Sequence, residues 1–217
     1  MNFEHARFNM VEQQVRPWGV MDPKILQLLM TVRREDFVPP AMQALAFADI
    51  EIPLPCGQVM LKPTIEGRIL QALGTLRVAS VLEIGAGSGY FAALLAANAG
   101  HVHTIETHSE LVQLARGNLA HNGVDNVTVE EGDASQGWYP QAPYDLIVVS
   151  AGLPELPEGL LAQLNPGGRL FAFIGVPPIM KAYIVSRNDK KILLDSPLFE
   201  TVVPMLCHIP QPPAFNF

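Results

Sequence analysis

The sequence predicts an α/β domain built on a mostly parallel sheet, and three observations predict it. Strand-like apolar runs alternate with helix-length segments from residue 80 onward, the pattern of βαβ units. The first of these runs, Ser80-Val-Leu-Glu-Ile84, ends at closely spaced glycines and leads into Tyr90-Phe-Ala-Ala-Leu-Leu-Ala-Ala97, which is rich in helix formers. The run Leu146-Ile-Val-Val149 is continuously apolar, as suits a strand covered on both faces.

Element by element, Asp22 stands as an N-cap before Pro23, so a helix is expected over Pro23 to Met30. Phe37-Val-Pro-Pro40 should end it. Ile52-Pro-Leu-Pro55 with Gly57 should be an irregular loop, because proline has no amide donor and restricts the residue before it. A helix from Thr64 to Leu73 follows. After the glycine turn come a strand Val102 to Glu106, a helix Glu110 to Asn122, a strand Val127 to Glu131 and the Leu146 run. Beyond Leu160 to Leu164 lies a strand Arg169 to Ile174. Lys181 to Arg187 and Lys191 to Leu194 read as an antiparallel hairpin turning at Asn188-Asp189. Pro204, Pro210, Pro212 and Pro213 make the last segment extended.

With 217 residues, 49% of them hydrophobic, the chain can bury a large core and fits one domain, residues 1–217. Within it, 1–79 holds N-terminal helices and a loop region, 80–178 the central block, and 179–217 the final strands and tail. Fourteen Lys+Arg against 21 Asp+Glu leave a net charge of -7, which disfavours binding nucleic acid through phosphate neutralisation. No stretch reaches the roughly 18 apolar residues of a membrane span, and Glu4, Arg7 and Glu12 interrupt any signal-peptide core. Cys56 and Cys207 are too few for a disulfide framework and too isolated for a metal site, so reduced thiols in the cytoplasm are expected.

Chemistry concentrates in Glu83-Ile-Gly85-Ala86-Gly87-Ser88-Gly89, with a second acid, Glu106, closing the next strand. Glycines at a strand-to-helix turn admit close approach of a ligand, and the helix start offers free amides to an anionic group. Such turns also simply close βα units. The dinucleotide pattern is Gly-x-Gly-x-x-Gly, whereas here the third glycine comes one residue early. S-adenosylmethionine fits better than NAD: its carboxylate can meet the loop amides, and Glu106, about 20 residues on, can accept both ribose hydroxyls. Glu131-Gly-Asp133-Ala134 ends the third strand, where Asp133 can meet the adenine amino group or cap its own turn. The six histidines are scattered and read as structural or surface groups.

Over nearly its full length the chain resembles bacterial protein-L-isoaspartate O-methyltransferases. The resemblance is carried by Met10-Val-Glu-Gln-Gln-Val-Arg16, Val32-Arg-Arg-Glu-Asp-Phe-Val-Pro39, Ile52-Pro-Leu-Pro-Cys-Gly-Gln58, Val81-Leu-Glu-Ile-Gly-Ala-Gly-Ser-Gly-Tyr90, Asn126-Val-Thr-Val-Glu-Glu-Gly-Asp133 and Pro166-Gly-Gly-Arg-Leu170. It implies a Rossmann-like class I methyltransferase fold with a seven-stranded sheet, S-adenosyl-L-methionine as cofactor, and a protein or peptide partner carrying an isoaspartyl residue. The reaction implied is methyl esterification of that residue's free carboxylate, a protein-repair step. A carboxylate is already ionised at neutral pH and a sulfonium leaves readily, so alignment matters more than acid or base catalysis.

The resemblance also locates a departure. After Gly57-Gln58 the family usually continues Thr-Ile-Ser-x-Pro, and its serine helps hold the substrate carboxylate; this chain has Val59-Met60-Leu61-Lys62-Pro63. Gln58 and Leu61 therefore occupy the catalytic loop positions, and Val59, Met60 and Leu61 the substrate wall. Losing a hydroxyl donor to a carboxylate costs ~1.5–3 kcal/mol, roughly ten- to a hundredfold in rate. Two alternatives follow from Leu61: a methyltransferase for another acceptor, or a protein that binds the cofactor without turnover.

Overall fold

A computed structural model describes residues 2–74, 78–188 and 191–209. Helix α1 (Phe3–Asn9) runs directly into a π-helical turn, Met10–Val15. Helix α2 (Pro23–Thr31) begins as the sequence predicts, with Pro23 in its first turn and the Asp22 carboxylate accepting the Lys24 amide at 2.8 Å. Strands β1 (Ile52–Pro53) and β2 (Val59–Met60) pair antiparallel, so the segment expected to be irregular contains a small hairpin. A ladder of two residues asks little of the amide that Pro53 lacks. Helix α3 (Pro63–Leu73) follows at once. At Gly67 a Cβ would stand 2.7 Å from Val15 Cγ1, so glycine is what lets α3 lie against the π-helical turn.

The central block comprises β3 (Val78–Ile84), α4 (Tyr90–Ala96), β4 (Ala99–Glu106), α5 (Ser109–His121), β5 (Val127–Glu131), β6 (Tyr144–Leu153), α6 (Glu158–Ala162) and β7 (Leu164–Val176). Strands β8 (Ile179–Arg187), β9 (Ile192–Leu194) and β10 (Phe199–Glu200) complete it. The sheet order is β10-β8-β7-β6-β3-β4-β5, with β9 also on β8. Five strands, β5, β4, β3, β6 and β7, run parallel, and β8 turns antiparallel to β7. The expected antiparallel pairing of β8 with β9 is present, and β10 pairs with β8 as well, giving eight strands where seven are expected. Two residues of β10 are too short to show a strand pattern in sequence. Asp189 of the expected turn, and Pro210, Pro212 and Pro213 of the expected tail, lie outside the described residues.

Alternate residues of the middle strands face opposite sides. Val81, Leu146 and Val148 join the core beneath α3, α4 and α5, while Leu82, Ile147 and Val149 join a second core beneath α6. Every residue of α4 is buried, which explains its uninterrupted apolar sequence. Strands β3 and β6 are neighbours whose chains leave in opposite directions across the sheet, β3 to β4 and β6 to β7. Parallel sheets of this kind bind ligands in the crevice at the carboxyl ends of such a pair.

Candidate functional site

At that crevice β3 ends in the glycine turn. Gly85, Gly87 and Gly89 all have positive φ, at 97°, 52° and 83°, so the turn depends on glycine for its course. Gly85 donates its amide to the Ile105 carbonyl at 2.9 Å, which ties the turn to the end of β4. At the next strand end, buried Glu106 is held by the backbone: Oε1 accepts the amides of Thr107 at 2.9 Å and His108 at 3.1 Å, and Oε2 accepts that of Gly87 at 3.1 Å. Oε2 keeps acceptor capacity beyond the one bond from Gly87.

Glu83, on β3 two residues before Gly85, is fully buried. Its Oε1 accepts from Ser150 Oγ at 3.4 Å, and the buried Thr104 hydroxyl on the neighbouring strand is a second donor beside it. Burial pushes its carboxyl up to about 8, opposed by hydrogen bonding from Thr104 and Ser150. Glu83 does not itself line the crevice; it is tied to its wall through Ser150, which does.

The crevice is an open cleft of about 650 Å³, solvent at its opening included. Gln58, Val59, Leu61, Gly85, Gly87, Glu106, Asp133 and Ala134 all line it. Ala86, Ser88 and Met60 line instead an adjoining cavity of about 320 Å³. Gly89 caps α4 and lies against Ala115 of α5, where a Cβ would stand 3.2 Å from the backbone. Asp133 accepts the Ser135 amide at 2.9 Å as a turn carboxylate, and it borders the cleft. Partial burial pushes its carboxyl up, but the Ser135 hydrogen bonds and the neighbouring His208 hold it below the usual range.

Several contributors were not foreseen. Two histidines read as structural or surface groups contact site carboxylates, His108 Nδ1 at 3.1 Å from Glu106 and His208 Nδ1 at 3.3 Å from Asp133. Ser150 lines both cavities from the end of β6. Pro204, Met205, Leu206 and Cys207 form the far wall of the cleft, held by Gly152, whose amide donates to Pro204 O at 2.8 Å and whose carbonyl accepts from Leu206 at 2.9 Å. Beneath the smaller cavity, fully buried Arg34 donates to Ala46 O at 2.9 Å and Leu61 O at 2.5 Å and ion-pairs with Glu66. No local pattern announces these residues: His108 apart, which is two residues from Glu106, each reaches the site from a distant part of the chain.

A family model described as protein-L-isoaspartate(D-aspartate) O-methyltransferase (PCMT) matches residues 6–203. The chain is 41% identical over 190 residues to the protein-L-isoaspartate O-methyltransferase of Koribacter versatilis (strain Ellin345), covering 88% of this chain and 86% of that one. Among solved structures, one described as a protein-L-isoaspartate O-methyltransferase superposes with a TM-score of 0.78 at 24% identity, over 92% of this chain and 65% of that one. Another, described as a protein-L-isoaspartate O-methyltransferase of Plasmodium falciparum in complex with S-adenosyl-L-homocysteine, gives 0.78 at 19% identity over 92% and 97%. These two show the shared fold. By the family match across most of its length, and by the identity to a curated relative, the chain belongs to the protein-L-isoaspartate(D-aspartate) O-methyltransferase family.

Proposed function

We propose that this chain is an S-adenosylmethionine-dependent methyltransferase that esterifies the free carboxylate of L-isoaspartyl residues in damaged proteins. The observation that carries the reading is the bond from the Gly87 amide to Glu106 at the mouth of a cleft that Asp133 also borders. That bond sets a carboxylate with spare acceptor capacity beside a glycine turn, the combination a ribose diol next to an amino acid moiety requires.

The residues present fit the cofactor. Glu106 would hold the ribose hydroxyls, Gly85 and Gly87 leave room for the chain of the ligand, and Asp133 and Ala134 would border the adenine. When bound, S-adenosylmethionine supplies a methyl carbon on a sulfonium, which departs as a neutral thioether. The protein's part is to fix position and exclude water, because an acceptor carboxylate needs no deprotonation at neutral pH. Gln58, Val59 and Leu61 border the cleft on the acceptor side. The described helices include none long and apolar enough to cross a membrane.

The buried Leu61 side chain, common to both cavities, favours one second reading: the same cofactor with a different acceptor. Methyl transfer from labelled S-adenosylmethionine to an isoaspartyl peptide, beside its aspartyl control, separates the two. A base-labile product on the isoaspartyl peptide alone is expected. Equal labelling of both peptides, or of neither, rejects the repair activity.

A further inference from the structure

The smaller cavity shares Val59, Leu61, Gly85, Gly87 and Ser150 with the cleft, so the two are neighbours across one wall of the hairpin and one edge of the glycine turn. Its lining is apolar apart from Glu66, Ser88, Tyr90 and Ser150. Of these, Ser150 donates to Glu83 and Ser88 accepts the Tyr90 amide. Glu66 is paired with Arg34, whose guanidinium bonds also to Ala46 and Leu61 carbonyls. Tyr90 differs. Its side chain is 1% exposed, Phe37 packs edge-on against its ring, and Arg34 lies over the ring 4.9 Å from its centroid, close enough to donate to the phenol oxygen, while the hydroxyl proton meets no acceptor.

Buried hydroxyls almost always place their proton on an acceptor, so one left unmatched in a cavity wall points to a ligand that completes it. Burial holds this phenol protonated far above neutral pH, and it therefore presents a donor. Burial also pushes Glu66 up to about 7, despite Arg34, which weakens its repulsion of an incoming anion near neutral pH. Apolar walls around the Tyr90 hydroxyl, with the Ser88 hydroxyl as a second available donor, suit a short aliphatic stem ending in an acceptor-only group.

We propose that this cavity receives the acceptor carboxylate and that the Tyr90 hydroxyl donates to it, supplying from α4 a contact that Leu61 cannot make. The proposal rests on the isoaspartyl reading above and names the group that binds the acceptor. No proton need move: the hydroxyl aligns the carboxylate oxygen that forms the new bond to carbon while the carbon–sulfur bond breaks.

Tyr90→Phe removes one oxygen and keeps the ring contacts with Phe37 and Arg34. Two readouts are compared with the parent protein: kcat/KM for an isoaspartyl peptide, and calorimetric affinity for that peptide with S-adenosylhomocysteine bound. A second peptide, its free carboxylate capped as an amide, serves as control in the binding arm. Tyr90→Phe should weaken carboxylate peptide binding and lower kcat/KM by about ten- to a hundredfold, chiefly through KM. The preference for carboxylate over amide peptide should shrink with it, a change that loss of packing would not produce, while cofactor affinity and Tm stay near parent values. Parent-level kcat/KM and peptide affinity in Tyr90→Phe would overturn the proposal and leave the methyltransferase reading standing. A parent protein that binds the carboxylate peptide through Tyr90 without methylating it would overturn the repair activity and leave the pocket standing. A parent that neither binds nor methylates it overturns both.

Discussion

The Arg34 guanidinium donates to the carbonyl of Leu61 at 2.5 Å, so a buried cation from the N-terminal region fixes the backbone of the residue that separates the two cavities. The same guanidinium pairs with Glu66 on α3. The hairpin and α3 are thereby locked in one arrangement by a group that water does not reach.

Arg34→Met should therefore destabilise the protein by about 3–5 kcal/mol, because it leaves the Glu66 carboxylate buried without its partner. Urea unfolding measures this. Adding Glu66→Leu should recover much of the loss, since removing both charges is far less costly than removing one. Additive losses in the double variant would show that the pair does not act as a unit.

Glu106→Ala should weaken S-adenosylmethionine binding by about 2–4 kcal/mol in calorimetry. Two ribose hydroxyls lose an acceptor, and the amides of Gly87, Thr107 and His108 lose the carboxylate that organises them. A folded variant with parent affinity removes Glu106 from the cofactor site.

Gly87→Val should fold with a penalty of about 1–2 kcal/mol for a non-glycine residue in the left-handed region. Its Cβ would meet Leu54 Cδ1 at 3.4 Å, so the first side-chain carbon is accommodated. Cofactor binding should be abolished, because the side chain occupies the cleft; normal binding by the folded variant would make the glycine turn purely structural.

Leu61→Ser adds a hydroxyl to the wall common to both cavities. Steady-state kinetics on an isoaspartyl peptide should show kcat/KM raised about ten- to a hundredfold if its donor reaches the carboxylate. Stability should fall by about 2–5 kcal/mol, as for other large-to-small changes in a core. A flat kinetic response assigns the pocket to another acceptor.

Stability should decline as pH rises from about 5 to 8, through Glu83 and Glu66. Their carboxyls are raised by burial to about 8 and about 7, so over this range the folded protein holds protons that the unfolded chain has released. Each such group contributes a slope of about 1.4 kcal/mol per pH unit between its unfolded and folded values. Glu83→Gln should flatten the pH dependence of the urea midpoint; an unchanged slope would mean that Glu83 is ionised in the folded state.

How legible these features are in sequence follows the separation of the partners. Glu83, the glycines and Glu106 belong to two adjacent β-α units, so strand, turn and acid show in one short window, and the fold class shows in the repeat of that window. Helix α2 was legible from Asp22 and Pro23 for the same local reason. Ser150 was not, because its role depends on β6 lying beside β3. Nor were Arg34 and Tyr90, one a charged residue in a polar stretch and the other an aromatic in a helix, whose meaning comes from the cavity they meet around. The hairpin of β1 and β2 was hidden by prolines that usually break strands.

The cleft's far wall, Pro204 to Cys207, lies a hundred residues beyond the Glu106 region that it encloses. A domain folds as a unit, so this wall and the glycine turn take shape together. The wall is fastened where Gly152 on β6 binds Pro204 and Leu206, and β6 in turn flanks β3, so the two sides of the cleft are registered to each other through one pair of neighbouring strands.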